Sequence, residues 1–67
     1  MSIEEVKQKI LEILKARSVI SKRELSTLIE NRDELEKAIY ELISNNFIFE
    51  INVLGGNYYG IKNSKNK

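Results

Sequence analysis

Sixty-seven residues hold one domain and leave no room for a second. Eleven Lys and Arg stand against ten Asp and Glu, a net charge of +1 that by itself names no polyanionic partner. The chain has no Cys and no His, which excludes disulfides, thiolate nucleophiles, imidazole bases and ordinary zinc sites, while ten Ile, seven Leu and three Val supply one compact core.

The chain opens Met-Ser-Ile-Glu-Glu-Val, without the basic start and apolar run of a signal peptide, and nowhere do 18 apolar residues stand together. A cytoplasmic protein with no membrane partner is expected. Ile3, Val6, Ile10, Ile13 and Leu14 fall on one arc at 100° per residue and predict an amphipathic first helix. Ser2 is its N-cap, with Glu4 and Glu5 in the first turn and Lys15 and Arg17 in the last, as the helix dipole prefers. Leu11 lies about 60° beyond that stripe, where it either widens the core contact or marks a partner surface.

Val19-Ile20 reads as a short strand, and Ser21 followed by Glu24 is a capping box that starts a second helix with Leu25, Leu28 and Ile29 on its apolar face. Asn31 with Glu34 repeats that spacing after a tight turn. The third helix carries Leu35, Ala38, Ile39 and Leu42 inward, with Ile43 at the margin, and stops near Asn45-Asn46, where Asn accepts the left-handed conformation.

The period then changes to 2. Phe47, Phe49, Ile51 and Val53 alternate with Ile48, Glu50 and Asn52, a strand whose Phe-bearing stripe is expected to face the core, with Ile48 also packing inward at its start. Leu54-Gly55-Gly56-Asn57 is the turn of a hairpin whose return strand, Tyr58 to Lys62, puts Tyr59 and Ile61 inside and Tyr58, Gly60 and Lys62 outside. The expected core is Val6, Ile10, Ile13, Leu14, Leu25, Leu28, Leu35, Ile39, Leu42, Phe47, Phe49, Ile51, Tyr59 and Ile61. The domain is expected to span residues 1–62, followed by a flexible basic tail over 63–67.

The segment SVISKRELSTLIENRDELEKAIYELISNNFIFE, within a match over residues 3 to 62, resembles the winged-helix (winged helix-turn-helix) family. Leu25 and Leu28 stand where that family has its second-helix core, Leu35, Ile39 and Leu42 where it has its third-helix core, and Phe47-Ile48 where the chain enters the wing. Asn46 replaces a Gly common at that point. The resemblance implies an α+β domain of order α1-β1-α2-α3-β2-β3 with a C-terminal hairpin wing, and a small DNA-binding protein, such as a transcriptional regulator, whose third helix lies in the major groove of duplex DNA. On that reading Lys37, Tyr40 and Ser44 face the bases. Lys22, Arg23, Arg32 and Lys62 reach phosphates, and Asn57 and Tyr58 of the wing meet the backbone.

The charge map cuts across this reading. Residues 24–61 carry two basic and seven acidic side chains, a net of −5, while residues 1–23 carry +3 and the stretch from Lys62 adds +3. A recognition helix bearing Asp33, Glu36 and Glu41 opposes phosphate by charge, although carboxylates can accept from cytosine N4. The competing expectation is a protein-association module that docks a basic protein on Asp33, Glu36 and Glu41, or pairs as a homodimer along helix one at Leu11. A third arrangement places DNA on the basic first helix and tail.

An enzyme is not expected. Gly55 and Gly60 have the spacing of phosphate-loop glycines, but Ile61 intervenes before Lys62, Asn63 stands where Ser or Thr is required, and no helix follows. Carboxylate pairs such as Glu4 with Glu5 or Glu34 with Glu41 sit on open helix faces with no cleft, and a single Asp excludes an EF-hand loop. No catalytic residue, metal ligand or cofactor is expected.

Overall fold

The computed structural model of the chain describes residues 2–62. The expected tail over 63–67 lies outside them. Three helices and a three-stranded antiparallel sheet follow in the order α1 (Ile3–Arg17), β1 (Val19–Ser21), α2 (Lys22–Leu28), α3 (Arg32–Ser44), β2 (Ile48–Val53) and β3 (Gly56–Ile61). The chain is therefore a small α+β unit, with the element order read from the sequence. Among the described residues no helix is long and apolar enough to cross a membrane.

Local chemistry sets the boundaries. Ser2 and Glu5 form a reciprocal capping box at the start of α1, each side chain bonding the other's backbone N–H. Ser21 caps α2 by accepting from the Glu24 N–H at 3.1 Å, but Glu24 turns its carboxylate to Arg17 at 3.0 Å and leaves that box one-sided. Asn31 caps α3 by accepting from the Glu34 N–H at 3.0 Å. At the far end of α3, Asn46 adopts φ 65°, its N–H donates to Ile43 O and the Phe47 N–H donates to Leu42 O, which together make a Schellman motif. Asn thus does the work of a C-terminal Gly, as its tolerance of the left-handed region allows.

The core lies between the three helices and one face of the sheet. Val6, Ile10 and Leu14 come from α1, Leu25 from α2, and Leu35, Ala38, Ile39 and Leu42 from α3; Ile20, Ile48 and Tyr59 close it from the sheet. Two expected core positions on the helices behave differently. Ile13 is only partly buried against this cluster, as is Leu11, which widens the core contact. Leu28 is exposed, because α2 ends there after two turns and the extended backbone of Ile29 drops the Ile29 side chain into the core instead.

The larger correction concerns the sheet, whose strand order is β1-β3-β2. Val53 pairs with Gly56 across a two-residue turn, Leu54-Gly55, in which Gly55 supplies a φ of 104°. The return strand begins there, two residues before the expected Tyr58. This turn fixes the register as Ile48↔Ile61, Phe49↔Gly60, Glu50↔Tyr59 and Ile51↔Tyr58. Paired residues share a face, so Tyr59 and Ile61 point inward with Ile48 and Glu50, and the stripe of Phe49, Ile51 and Val53 points out. Phe47, just before the strand, is also exposed. Phe47, Phe49 and Ile51 therefore leave the expected core; Ile20, Ile29, Ala38 and Ile48 fill it. The Phe49 ring lies over Gly60 so closely that a Cβ there would stand 2.6 Å from Phe49 Cζ, which is why position 60 has no side chain.

Candidate nucleic-acid interface

Two helix starts and the hairpin turn converge on one side of the molecule. Lys22 and Arg23 open α2 directly after the Ser21 cap, Arg32 opens α3 directly after the Asn31 cap, and the turn of the hairpin brings Gly55, Gly56 and Asn57 against them. These residues, with Ser26 and Glu36, line an open groove of about 510 Å³. A smaller hollow of about 190 Å³ adjoins it and is lined by Ser21, Arg23, Gly55, Gly56, Asn57 and Tyr58. Arg23 belongs to both. The Ser26 hydroxyl is turned away into a 3.0 Å bond to the Lys22 carbonyl.

Lys22 and Glu36 meet across the groove at 2.7 Å. The hydrogen bond to Glu36 holds the Lys22 ammonium above its ordinary value of 10.5, against the opposing cost of partial burial. Lys22 is therefore charged throughout the physiological range, and one of its three N–H donors is already committed to Glu36. Burial likewise raises the phenol of Tyr59 above 10.0, so it stays neutral beneath the groove.

On the other flank of α3, Glu41 accepts from Lys7 of α1 at 2.9 Å, and Lys7 also reaches Glu4 at 3.0 Å. The Lys7 pKa rises for the same reason, chiefly through Glu41. Two of the three acids expected to form a docking face for a basic protein, Glu36 and Glu41, thus each hold a lysine of this chain, and Asp33 is the one exposed on the first turn of α3. No large apolar side chain of α1 is exposed among the described residues, which leaves the Leu11 edge little to offer a second copy.

Of the residues expected to contact DNA, the fold gathers Lys22, Arg23, Arg32 and Asn57 in the groove and sets Tyr58 beside it. Tyr40 follows Arg32 and Glu36 at successive i, i+4 positions along α3, beyond the residues that line the groove, and it is 72% exposed. Lys37 and Ser44 are exposed on the same helix, further round its outer face. Lys62 is not part of this arrangement. Its N–H bonds Phe47 O at 2.9 Å, at the end of β3 opposite the turn, roughly 17 to 20 Å along the strand. Residue order alone did not reveal Gly55 and Gly56 as groove walls or the Lys22–Glu36 bridge, since both depend on how α2, α3 and the hairpin pack.

The arrangement offers guanidinium and ammonium groups, a side-chain amide and open turn backbone on one concave surface, a set suited to phosphate oxygens. No family model, curated protein or solved structure matches this chain.

Proposed function

We propose that the chain is a winged-helix DNA-binding protein of the transcriptional-regulator kind, with β2 and β3 as the wing. The observation that carries this reading is the groove in which Lys22, Arg23 and Arg32 meet the wing turn at Gly55 to Asn57. Duplex DNA seats a phosphate run along that groove, and α3 presents Tyr40, Lys37 and Ser44 to base edges beyond it. Segment charge had argued against this docking. The Lys7–Glu41 bridge answers part of the objection, because that acid on α3 is screened by a lysine from outside the groove.

Glu36 is the remaining brake, a carboxylate in the groove that both repels phosphate and occupies Lys22. Fluorescence anisotropy against a mixed-sequence duplex at several salt concentrations tests the reading. Log K is expected to fall linearly with log salt at about −0.9 per neutralised phosphate, so Arg23 and Arg32 give a slope of about −1.8, and Glu36→Gln, which frees Lys22, steepens it toward about −2.7. Glu36→Gln is expected to tighten binding about three- to fivefold at low salt by freeing Lys22 and removing one like charge. Absence of binding at low salt, for the wild type and Glu36→Gln alike, would overturn the proposal and direct attention to protein partners.

A further inference from the structure

The outward face of the sheet is apolar and carries no charge. Val19 and Ser21 of β1, Phe49, Ile51 and Val53 of β2, and Gly56, Tyr58 and Gly60 of β3 share that face through the strand register. None carries a charged side chain, in a chain in which 31% of residues are charged. An antiparallel sheet with one face in water normally alternates apolar-in and polar-out. Here the outward stripe is the more apolar of the two.

Six of the eight exposed large apolar side chains lie on this face or at its rim: Val19 (42%), Phe47 (52%), Phe49 (41%), Val53 (48%), Leu54 (105%) and Tyr58 (39%). With about 150 to 250 Å² on each aromatic side chain and somewhat less on each aliphatic one, these fractions leave on the order of 400 to 600 Å² in water, about a third of it on Leu54 at the turn. That reaches the upper part of the range for the largest patch on a monomer. Two such faces apposed bury at most about 1,200 Å², the lower bound of a specific interface.

We infer that the outer sheet face is a homodimer interface, in which two copies pack sheet against sheet about a two-fold axis. The absence of charge selects the occupant. A two-fold interface sets the same patch against itself, so any lysine or glutamate on it would lie near its like, and this face has neither. A charged partner would find nothing complementary. A nucleic-acid strand stacked on Phe49 and Tyr58 would find one cation at the margin of the face, Arg23 beside Tyr58, and none across Val19, Phe49, Ile51 and Val53 to meet its phosphates. The Phe49 ring, with its Cζ end over Gly60, stands at the centre of the interface, and Val19 and Val53 mark its two sides. The inference stands independently of the DNA-binding reading, and its test contains no duplex.

Sedimentation velocity from about 10 µM to about 1 mM is the experiment. The weight-average mass is expected to rise toward twice that of one chain. Val53→Glu and Val19→Glu, each at a half-exposed position, are expected to raise the dissociation constant at least tenfold while the thermal unfolding of dilute protein stays close to wild type. Val53→Thr, which keeps strand preference and shape, serves as a second variant and weakens the dimer by a smaller factor. A chain that stays monomeric at 1 mM overturns the inference. So does a dimer that Val53→Glu and Val19→Glu leave intact but Leu11→Glu dissociates. So too does a monomer whose binding of labelled oligothymidylate is lost in Phe49→Leu, which would assign the face to base stacking.

Discussion

Ile48→Ala is expected to lower the unfolding free energy by about 2 to 4 kcal/mol, whereas Val53→Ala, five residues further along β2, lowers it by less than about 1 kcal/mol. Ile48 is buried between α3 and the sheet, so truncation leaves a cavity that the surrounding Leu, Ile and Tyr side chains only partly refill. Val53 is half exposed at the hairpin end and leaves no cavity. A 67-residue domain has a total stability of only about 3 to 10 kcal/mol, so Ile48→Ala is expected to leave a large unfolded fraction at 37 °C. Urea titration of dilute protein, read by circular dichroism, checks the pair. The opposite ranking would mean that the stripe holding Phe49 and Val53 is the one that faces the helices.

Simultaneous Lys22→Ala, Arg23→Ala and Arg32→Ala carries the largest expected effect on binding. Removing Arg23 and Arg32 together with the lysine that offsets Glu36 is expected to cost duplex affinity about a hundredfold at low salt and to flatten the salt slope by about 1.8. The fold should survive, because Arg23 and Arg32 are exposed and the Lys22–Glu36 bridge is half solvated, worth at most about 1 kcal/mol. Lys37→Ala alone, away from the groove on α3, is expected to cost less than tenfold. Anisotropy titrations at matched salt compare the two. Equal affinity for the triple variant and the wild type would remove the groove from the binding surface.

How much of this was legible in the sequence depended on the range of the interaction responsible. Helix positions followed from periods and caps that act within four residues: Ser2, Ser21 and Asn31 each take up an N–H three residues on, and Asn46 closes α3 in the left-handed conformation. The inner stripe of α3 was equally plain. The face of β2 was misread, although the information was present. Any hairpin loop with an even number of residues pairs odd positions with even ones here, so Phe49 and Tyr59 could not both face inward once the turn was placed at Leu54 to Asn57 or at Leu54-Gly55. The larger side chains of Phe47 and Phe49 suggested the wrong stripe, and packing of Ile20, Ile48, Tyr59 and Ile61 against the helices decided the matter.

The groove was half legible. Lys22, Arg23, Arg32 and Asn57 were identifiable as polar residues at helix starts and at the hairpin, where phosphate contacts are common, but nothing local brings positions 22, 32 and 57 together. Likewise the acidic count of residues 24–61 took each carboxylate as a free charge. Lys7 pairs with Glu41 across 34 residues and Lys22 with Glu36 across 14, separations at which sequence spacing carries no signal.

The central claim, that duplex DNA seats in the groove between the two helix starts and the wing turn, is tested most directly by amide chemical-shift mapping. A uniformly ¹⁵N-labelled chain would be titrated with a short mixed-sequence duplex at low salt. The largest shifts are expected at Lys22, Arg23, Ser26, Arg32, Glu36 and Gly55 to Asn57, with Tyr40 next along α3. Shifts confined to α1 and the residues after Ile61, with the groove amides unmoved, would contradict the account and place the nucleic acid on the basic first segment instead.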